Sequence, residues 1–269
     1  MKNLKDSVAV VTGAAMGMGR SLSELLLKEG CRLALVDINE AALKKTAEEL
    51  SSLGNCETFI CDISDRESIS RLAEDVINKM GDVSILVNNA GIVKAGSIEE
   101  MDNDTIEKLL TINLTSQFWT VKAFLPSIKK KPEGHIVNYA SAGGILAIPW
   151  ISAYCASKFG VVGLTDALRQ EMKKLKLPIG VTMVCPNTVS TGMFDGSKMV
   201  TGTSMLSTDS VTKKVLKAIK KNKAMIAVPH IPVRILTPLS KVLLPIKVMD
   251  SLNKFLGMWD ANDTWQGRK

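Results

Sequence analysis

Tyr154 and Lys158 stand four residues apart in the run Tyr154-Cys155-Ala156-Ser157-Lys158. On a helix this spacing projects a phenol and an ammonium from one face. A phenol ordinarily titrates near ~10, and a fixed cation beside it favours the phenolate. Lowering that value by about three units needs roughly 4 kcal/mol, within reach of one close, partly desolvated charge. Such a pair can pass a proton to or from a hydroxyl or carbonyl group near neutral pH. By itself the same spacing also describes a packed ring beside a solvated charge, so the elements around it must decide its use.

Residues 7–12 read as a short buried strand, followed at once by Gly13-Ala14-Ala15-Met16-Gly17-Met18-Gly19. Arg20 to Glu29 then carries Leu22, Leu25 and Leu26 at helical spacing. Strand, glycine-rich turn and helix, in that order, suit a diphosphate. The turn Gly13 to Gly19, with Ala15, Met16 and Met18, lets the backbone approach it, and first-turn N–H groups bind the anion. A turn that serves only tight packing is the alternative. The spacing is Gly-x-x-x-Gly-x-Gly, not the commoner Gly-x-Gly-x-x-Gly.

A second strand, 32–37, ends at Asp37, where an acid accepts hydrogen bonds from adenosine ribose hydroxyls. It also repels a 2′-phosphate, by roughly 4 kcal/mol per unit charge at about 4 Å and an effective dielectric of ~20. Ile38 and Ala15 bring no compensating cation, so NAD(H) is expected over NADP(H). Asp37 also reads as a helix N-cap, although Asn39 is the stronger cap candidate.

With these residues in view, the chain resembles the short-chain dehydrogenase/reductase family. Thr12-Gly13-x-x-x-Gly17-x-Gly19 fits that family's own glycine spacing. Asp62, read as ending a strand at 57–62, resembles the acid that contacts adenine, with Ile63 beside it. Asn88-Asn89-Ala90-Gly91 resembles the cofactor-edge motif. Asn113, Ser141, Tyr154 and Lys158 match the catalytic positions.

The resemblance implies that Tyr154 is the general acid or base and that Lys158 biases it and bonds the nicotinamide ribose. It implies that Ser141 holds the substrate oxygen and that Asn113 positions a water leading from Lys158. Pro186-Asn187-Thr188-Val189-Ser190-Thr191 resembles the stretch that contacts the nicotinamide carboxamide, with Asn187 standing where the family has glycine. Asn tolerates a positive φ, so the turn is expected to persist. The resemblance is loosely to the retinol and hydroxysteroid dehydrogenase branch.

Length and patterning agree with one α/β domain, 1–269. Hydrophobic residues make up 46% of the chain, enough for a substantial core. Strands at 7–12, 32–37, 57–62, 84–88, 134–140, 180–185 and 224–228 alternate with helical stretches, which predicts a doubly wound, Rossmann-type parallel sheet of seven strands. Five cysteines without a Cys-x-x-Cys pair imply reduced thiols and a cytoplasmic chain. Two histidines and no ligand cluster argue against a metal. The net charge of +7 rests mainly on lysines read as solvated helix ends, so no nucleic acid is expected.

The substrate side rests on two segments. Gly143 to Trp150 and Met193-Phe194 are apolar, so substrate contacts are expected from Ser141, Gly143, Trp150, Tyr154, Met193 and Phe194. A steroid, retinoid or lipid-like alcohol or carbonyl gains about 25 cal/mol per Å2 buried there. A small polar ketone, diketone or sugar is the alternative, and a non-catalytic nucleotide-binding protein a more distant one. The same apolar residues also suit core or subunit contacts.

Residues 192–207 read as a substrate lid. Residues 229–269 form an apolar and basic C-terminal extension whose prolines oppose one continuous helix. It suits a membrane interface, a cover for the substrate cleft or a subunit contact. Helices near 113–130 and 152–175 are expected to pair subunits into a homodimer or homotetramer, with Phe124, Phe159, Val162 and Leu168 serving core or interface.

Overall fold

The computed structural model describes residue 1 and residues 3–267. The strands are β1 (Val8–Thr12), β2 (Arg32–Asp37), β3 (Cys56–Ile60), β4 (Val83–Asn88), β5 (Gly134–Tyr139), β6 (Ile179–Pro186) and β7 (Met225–Val228). They form one parallel sheet in the order β3-β2-β1-β4-β5-β6-β7. The order reverses between β1 and β4, and ligands bind at such a switch point, beyond the carboxyl ends of the strands.

The helices are α1 (Gly17–Lys28), α2 (Glu40–Leu50), α3 (Arg66–Met80), α4 (Asn103–Leu110), α5 (Ser116–Ile128), α6 (Ser152–Lys174), α7 (Thr208–Lys221), α8 (Thr237–Leu243) and α9 (Ile246–Phe255). Strand alternation assigns them to two layers. Ala9 and Val11 of β1 face a core shared with Leu22 of α1, Leu43 of α2 and Val215 of α7. Val8 and Val10 face the other core, with Ile69 of α3, Phe124 of α5 and Leu168 of α6. Phe124 and Leu168 are therefore core residues, whereas Phe159 is 37% exposed.

Side-chain caps start several helices where the sequence supplies them. Asn39 accepts from Ala42 N at 3.0 Å, and Asp65 accepts from Glu67 N and Ser68 N. Strand β3 stops two residues before Asp62. The Asp62 carboxylate accepts from Ser64 N and Ser64 Oγ at 2.8 and 2.7 Å and turns the chain toward α3.

The C-terminal prolines break the helical path less often than their number implies. Pro232 opens a π-helical turn, Pro232–Leu236, and Pro238 follows it at the start of α8, so both lie within a helical path that runs unbroken over 230–243. The break falls at Leu244-Pro245. Among the described residues, no helix is long and apolar enough to cross a membrane.

Candidate active site

The first turn of α1 carries no acidic residue and no side-chain cap. Its N–H groups therefore keep the positive end of the helix for an anion. Gly19 must lack a side chain, because a Cβ there would run into the Gly13 carbonyl and the Asn89 amide. Asn89 in turn donates from Nδ2 to the Thr12 and Gly13 carbonyls at 2.9 and 3.1 Å. Thr12 Oγ1 accepts from the Asn89 and Ala90 backbone at 3.1 Å. These bonds tie the end of β4 to the glycine turn.

The result is a cleft of about 390 Å3 between the two strand ends. Gly13, Met16, Gly17, Met18, Asp37, Ile38, Asp62, Ile63, Asn89, Ala90, Gly91 and Thr191 all line it, gathered from five separate stretches of sequence. Ala15 and Gly19 sit behind the wall. Ala15 N donates to Asp37 Oδ2 at 3.1 Å, and Asn39 N donates to Oδ1 at 3.0 Å, so both carboxylate oxygens are oriented by backbone.

A second cavity of about 50 Å3 adjoins the cleft and shares Met18, Asn89, Gly91, Thr191 and Met193 with it. Tyr139, Ala140, Ser141, Tyr154, Lys158, Pro186, Asn187, Val189 and Phe194 complete its wall. The short helical turn after Ser141 packs directly on α6, because Gly144 leaves room for the Lys158 backbone. That contact sets Ser141 beside Tyr154 in the wall of the small cavity. Ser141 Oγ accepts from Gly143 N at 3.0 Å.

Lys158 is buried, and its Nζ donates to the Tyr139 carbonyl at 2.9 Å, 5.7 Å from the Tyr154 ring centroid. Burial lowers its pKa to about 8. Burial likewise raises Tyr154 to about 12, and the Ser141 bond offsets only part of this. The acidified phenol expected from the Tyr-Lys spacing is thus not found in the chain itself. Desolvation penalises both charged forms and is the largest cause of each shift.

Asn113 lies in a π-helical turn, Thr111–Thr115, between α4 and α5. Its Oδ1 accepts from Ile92 N at 2.8 Å, while Nδ2 donates to the Ile92 carbonyl and to Ser157 Oγ at 2.9 and 3.2 Å. The side chain expected to position a water is fully engaged. Its backbone carbonyl accepts from Gln117 Nε2 at 3.0 Å and retains a second lone pair. Asn187 needs no left-handed backbone, since its φ is not positive, and its N–H donates to the Val228 carbonyl at 2.8 Å.

On the substrate side, Phe194 meets the Tyr154 ring edge-on, with centroids 5.8 Å apart. Val93, Ala95 and Ile148 pack against the cluster that Tyr154 forms with Ile151 and Cys155. Met193 lines both cavities, and Gly143 stands beside Ser141 and the Tyr154 ring. Trp150 lies apart from the cavity wall. It is 43% exposed, and its Nε1 donates to Asp263 Oδ1 at 2.8 Å.

Residues 7–200 match the short chain dehydrogenase family. The chain belongs to the short-chain dehydrogenases. It is 37% identical over 244 residues to human estradiol 17-beta-dehydrogenase 11, covering 90% of this chain and 81% of that one. It is 33% identical to mouse epidermal retinol dehydrogenase 2, covering all of this chain and 88% of that one. A short-chain dehydrogenase/reductase from Burkholderia phymatum, solved in complex with NAD, superposes with a TM-score of 0.82 at 26% identity, covering 94% of this chain and 97% of that one.

Several residues of the dehydrogenase's site carry no local sequence signal. The Tyr139 carbonyl and Ser157 hydroxyl hold Lys158 and Asn113 through contacts that exist only after β5 and the turn between α4 and α5 meet α6. The chain Thr120, Asn88, Asn138, Thr165 runs through the buried layer with bonds of 2.7, 2.9 and 3.1 Å, fixing α5 and α6 against the sheet. A hydrophilic residue at a buried strand position, Asn138 between Val137 and Tyr139, is the one hint the sequence offers.

The buried lysine gives the dehydrogenase a stability signature. A lysine titrating at about 8 when folded and near 10.5 when unfolded binds fewer protons in the folded state between those values. Stability contributed by this group therefore rises with pH across that window. The wild type should gain on the order of 3 kcal/mol relative to Lys158→Met between pH 8 and 10.5. Urea unfolding of both proteins across that range measures it, and parallel curves would contradict the assignment.

Proposed function

We propose that this dehydrogenase interconverts an alcohol and a carbonyl on a hydrophobic substrate of steroid, retinoid or lipid type, with NAD(H) as hydride carrier. One observation carries the reading: Ser141, Tyr154 and Lys158 together line a small cavity that adjoins the cleft beside the glycine turn. Phe194 meets the Tyr154 ring edge-on and lines the same cavity, and Val93, Ala95 and Ile148 pack on the cluster that includes this tyrosine.

The residues fit the cofactor. Gly13, Met16, Gly17 and Met18 present a backbone cradle for a diphosphate, with Gly19 packed beneath it. Asp37 presents an oriented carboxylate to an adenosine ribose, with Asp62 and Ile63 toward the adenine. Asn89, Ala90 and Gly91 line the nicotinamide half, and Pro186, Asn187, Val189 and Thr191 serve the carboxamide. Bound there, the cofactor supplies or takes up the hydride. Tyr154 gives its proton to the carbonyl oxygen in reduction and recovers it in oxidation. Ser141 donates a hydrogen bond to the same oxygen and stabilises its developing charge. Lys158 bonds the nicotinamide ribose and passes protons toward solvent, while Asn113 holds the Gly91-Ile92 loop against α6.

Residues 192–207 act as a lid that the C-terminal tail steadies. Trp265 Nε1 donates to the Met193 carbonyl at 3.2 Å, and Lys198 N to the Ala261 carbonyl at 2.8 Å. Subunits pair through the exposed face of α5 and α6, where Phe118 and Phe159 are partly uncovered. The whole of 1–269 behaves as one domain.

Turnover on hydroxysteroids, retinols, fatty alcohols and small polar alcohols, with NAD+ and NADP+ in parallel, tests the function. The expected result is NAD+-linked oxidation of the apolar compounds. Activity confined to the polar ones would replace the apolar-substrate reading with its small-polar alternative.

A further inference from the structure

The segment from Ile231 to Trp259 exposes apolar surface on a scale found nowhere else in the described residues. Val242, Ile246 and Phe255 are 82%, 80% and 81% exposed. Their neighbours follow helical spacing. Ile231, Ile235, Leu239 and Val242 recur every three or four residues along the first helical stretch. Val248, Leu252 and Phe255 do so along α9, and Trp259 is exposed just beyond it. The linker between the helices, Leu243 to Ile246, is apolar as well. Two short helices with outward apolar stripes, joined by an apolar corner, form a face that water solvates poorly.

The charges on this segment are lopsided. Arg234, Lys241, Lys247 and Lys254 are offset by Asp250 alone between Ile231 and Trp259, a balance of four positive to one negative. Long basic side chains can lay their stems along an apolar face and hold their charges at its rim. Lys254 lies over the Trp259 ring at 5.4 Å, and Lys241 over Phe159 at 4.7 Å. A second copy of this chain is a poor occupant, because a two-fold contact sets the same patch against itself and opposes like charges. An anionic lipid surface satisfies both the stripe and the cations.

We propose that α8, α9 and the corner between them dock this protein on an anionic bilayer surface. Beneath the helices lies an apolar cavity of about 430 Å3, walled by Leu236, Leu239, Leu243, Met249 and Leu256 and reaching Leu146. Leu146 belongs to the segment that begins at Ser141, and Lys241 Nζ donates to the neighbouring Ile145 carbonyl at 2.9 Å. The docked face thus places a lipid-soluble substrate beside an apolar cavity that borders the segment following Ser141. Only this placement rests on the function proposed above; the docking does not.

Flotation of the full chain with phosphatidylcholine vesicles, with and without phosphatidylserine, tests the docking without any turnover. Binding should require phosphatidylserine and weaken at high salt. The double variant Val242→Asp, Ile246→Asp should lower the bound fraction at least about tenfold, with an unchanged melting midpoint. Arg234→Glu with Lys247→Glu should remove the dependence on phosphatidylserine. The proposal is overturned if the aspartate variant floats like the wild type. It is also overturned if the wild type ignores both vesicles, including the case where sedimentation shows a dimer that the aspartates dissociate, which would assign the face to a second copy.

Discussion

Replacing Tyr154 by Phe is expected to lower turnover about a thousandfold in both directions while leaving cofactor affinity within a few-fold of the wild type. The ring of Tyr154 packs against Phe194, and Phe preserves that packing. What the substitution removes is the hydroxyl, the proton carrier that the proposed mechanism places against the substrate oxygen in the small cavity. Stopped-flow turnover with cofactor titration separates the two effects. A variant that keeps its rate would end the assignment of Tyr154.

The pH dependence follows from the same burial. With the phenol held at about 12, Tyr154 keeps its proton at neutral pH and is ready to act as an acid. Alcohol oxidation needs the deprotonated form, so kcat/KM for oxidation should climb with pH, and carbonyl reduction should not share that climb.

The second large effect concerns cofactor choice. Asp37→Asn should erase most of the preference for NAD+ over NADP+, changing the ratio of their kcat/KM values by a hundred- to about a thousandfold. A full carboxylate charge near a 2′-phosphate contributes roughly 4 kcal/mol of repulsion, about three decades. The neutral amide removes that charge at nearly the same volume. It also loses one acceptor, because both carboxylate oxygens receive backbone N–H groups, from Ala15 and Asn39. A stability loss of about 1 kcal/mol should accompany the switch. An unchanged cofactor ratio would remove Asp37 from the specificity argument.

The nucleotide half was legible because its signals are local. A strand, a turn that tolerates only glycine at position 19, and a helix without an acidic first turn are consecutive in the chain. Asp37 and Asp62 each follow directly from a run of strand-forming residues, so the parallel sheet brings them to one edge without further information. Tyr154 and Lys158 share one turn of α6 and needed only the helix to meet.

Burial, by contrast, is a property of the assembled layers, and it reversed the expected direction of the Tyr154 shift. The carbonyl that receives Lys158 comes from β5, nineteen residues upstream. Trp150 looked like a pocket residue by composition, yet the tail carrying Asp263 draws its indole outward. The apolar stripe after Ile231 had several readings until packing left it uncovered. Residue types and spacing therefore singled out the candidate groups for chemistry and the candidate turn for a dinucleotide, since those signals depend on neighbours in the chain. Proton affinities, the walls around the reacting oxygen and the exposed C-terminal face depend on groups distant in sequence, and only folding sets how much water each of them keeps.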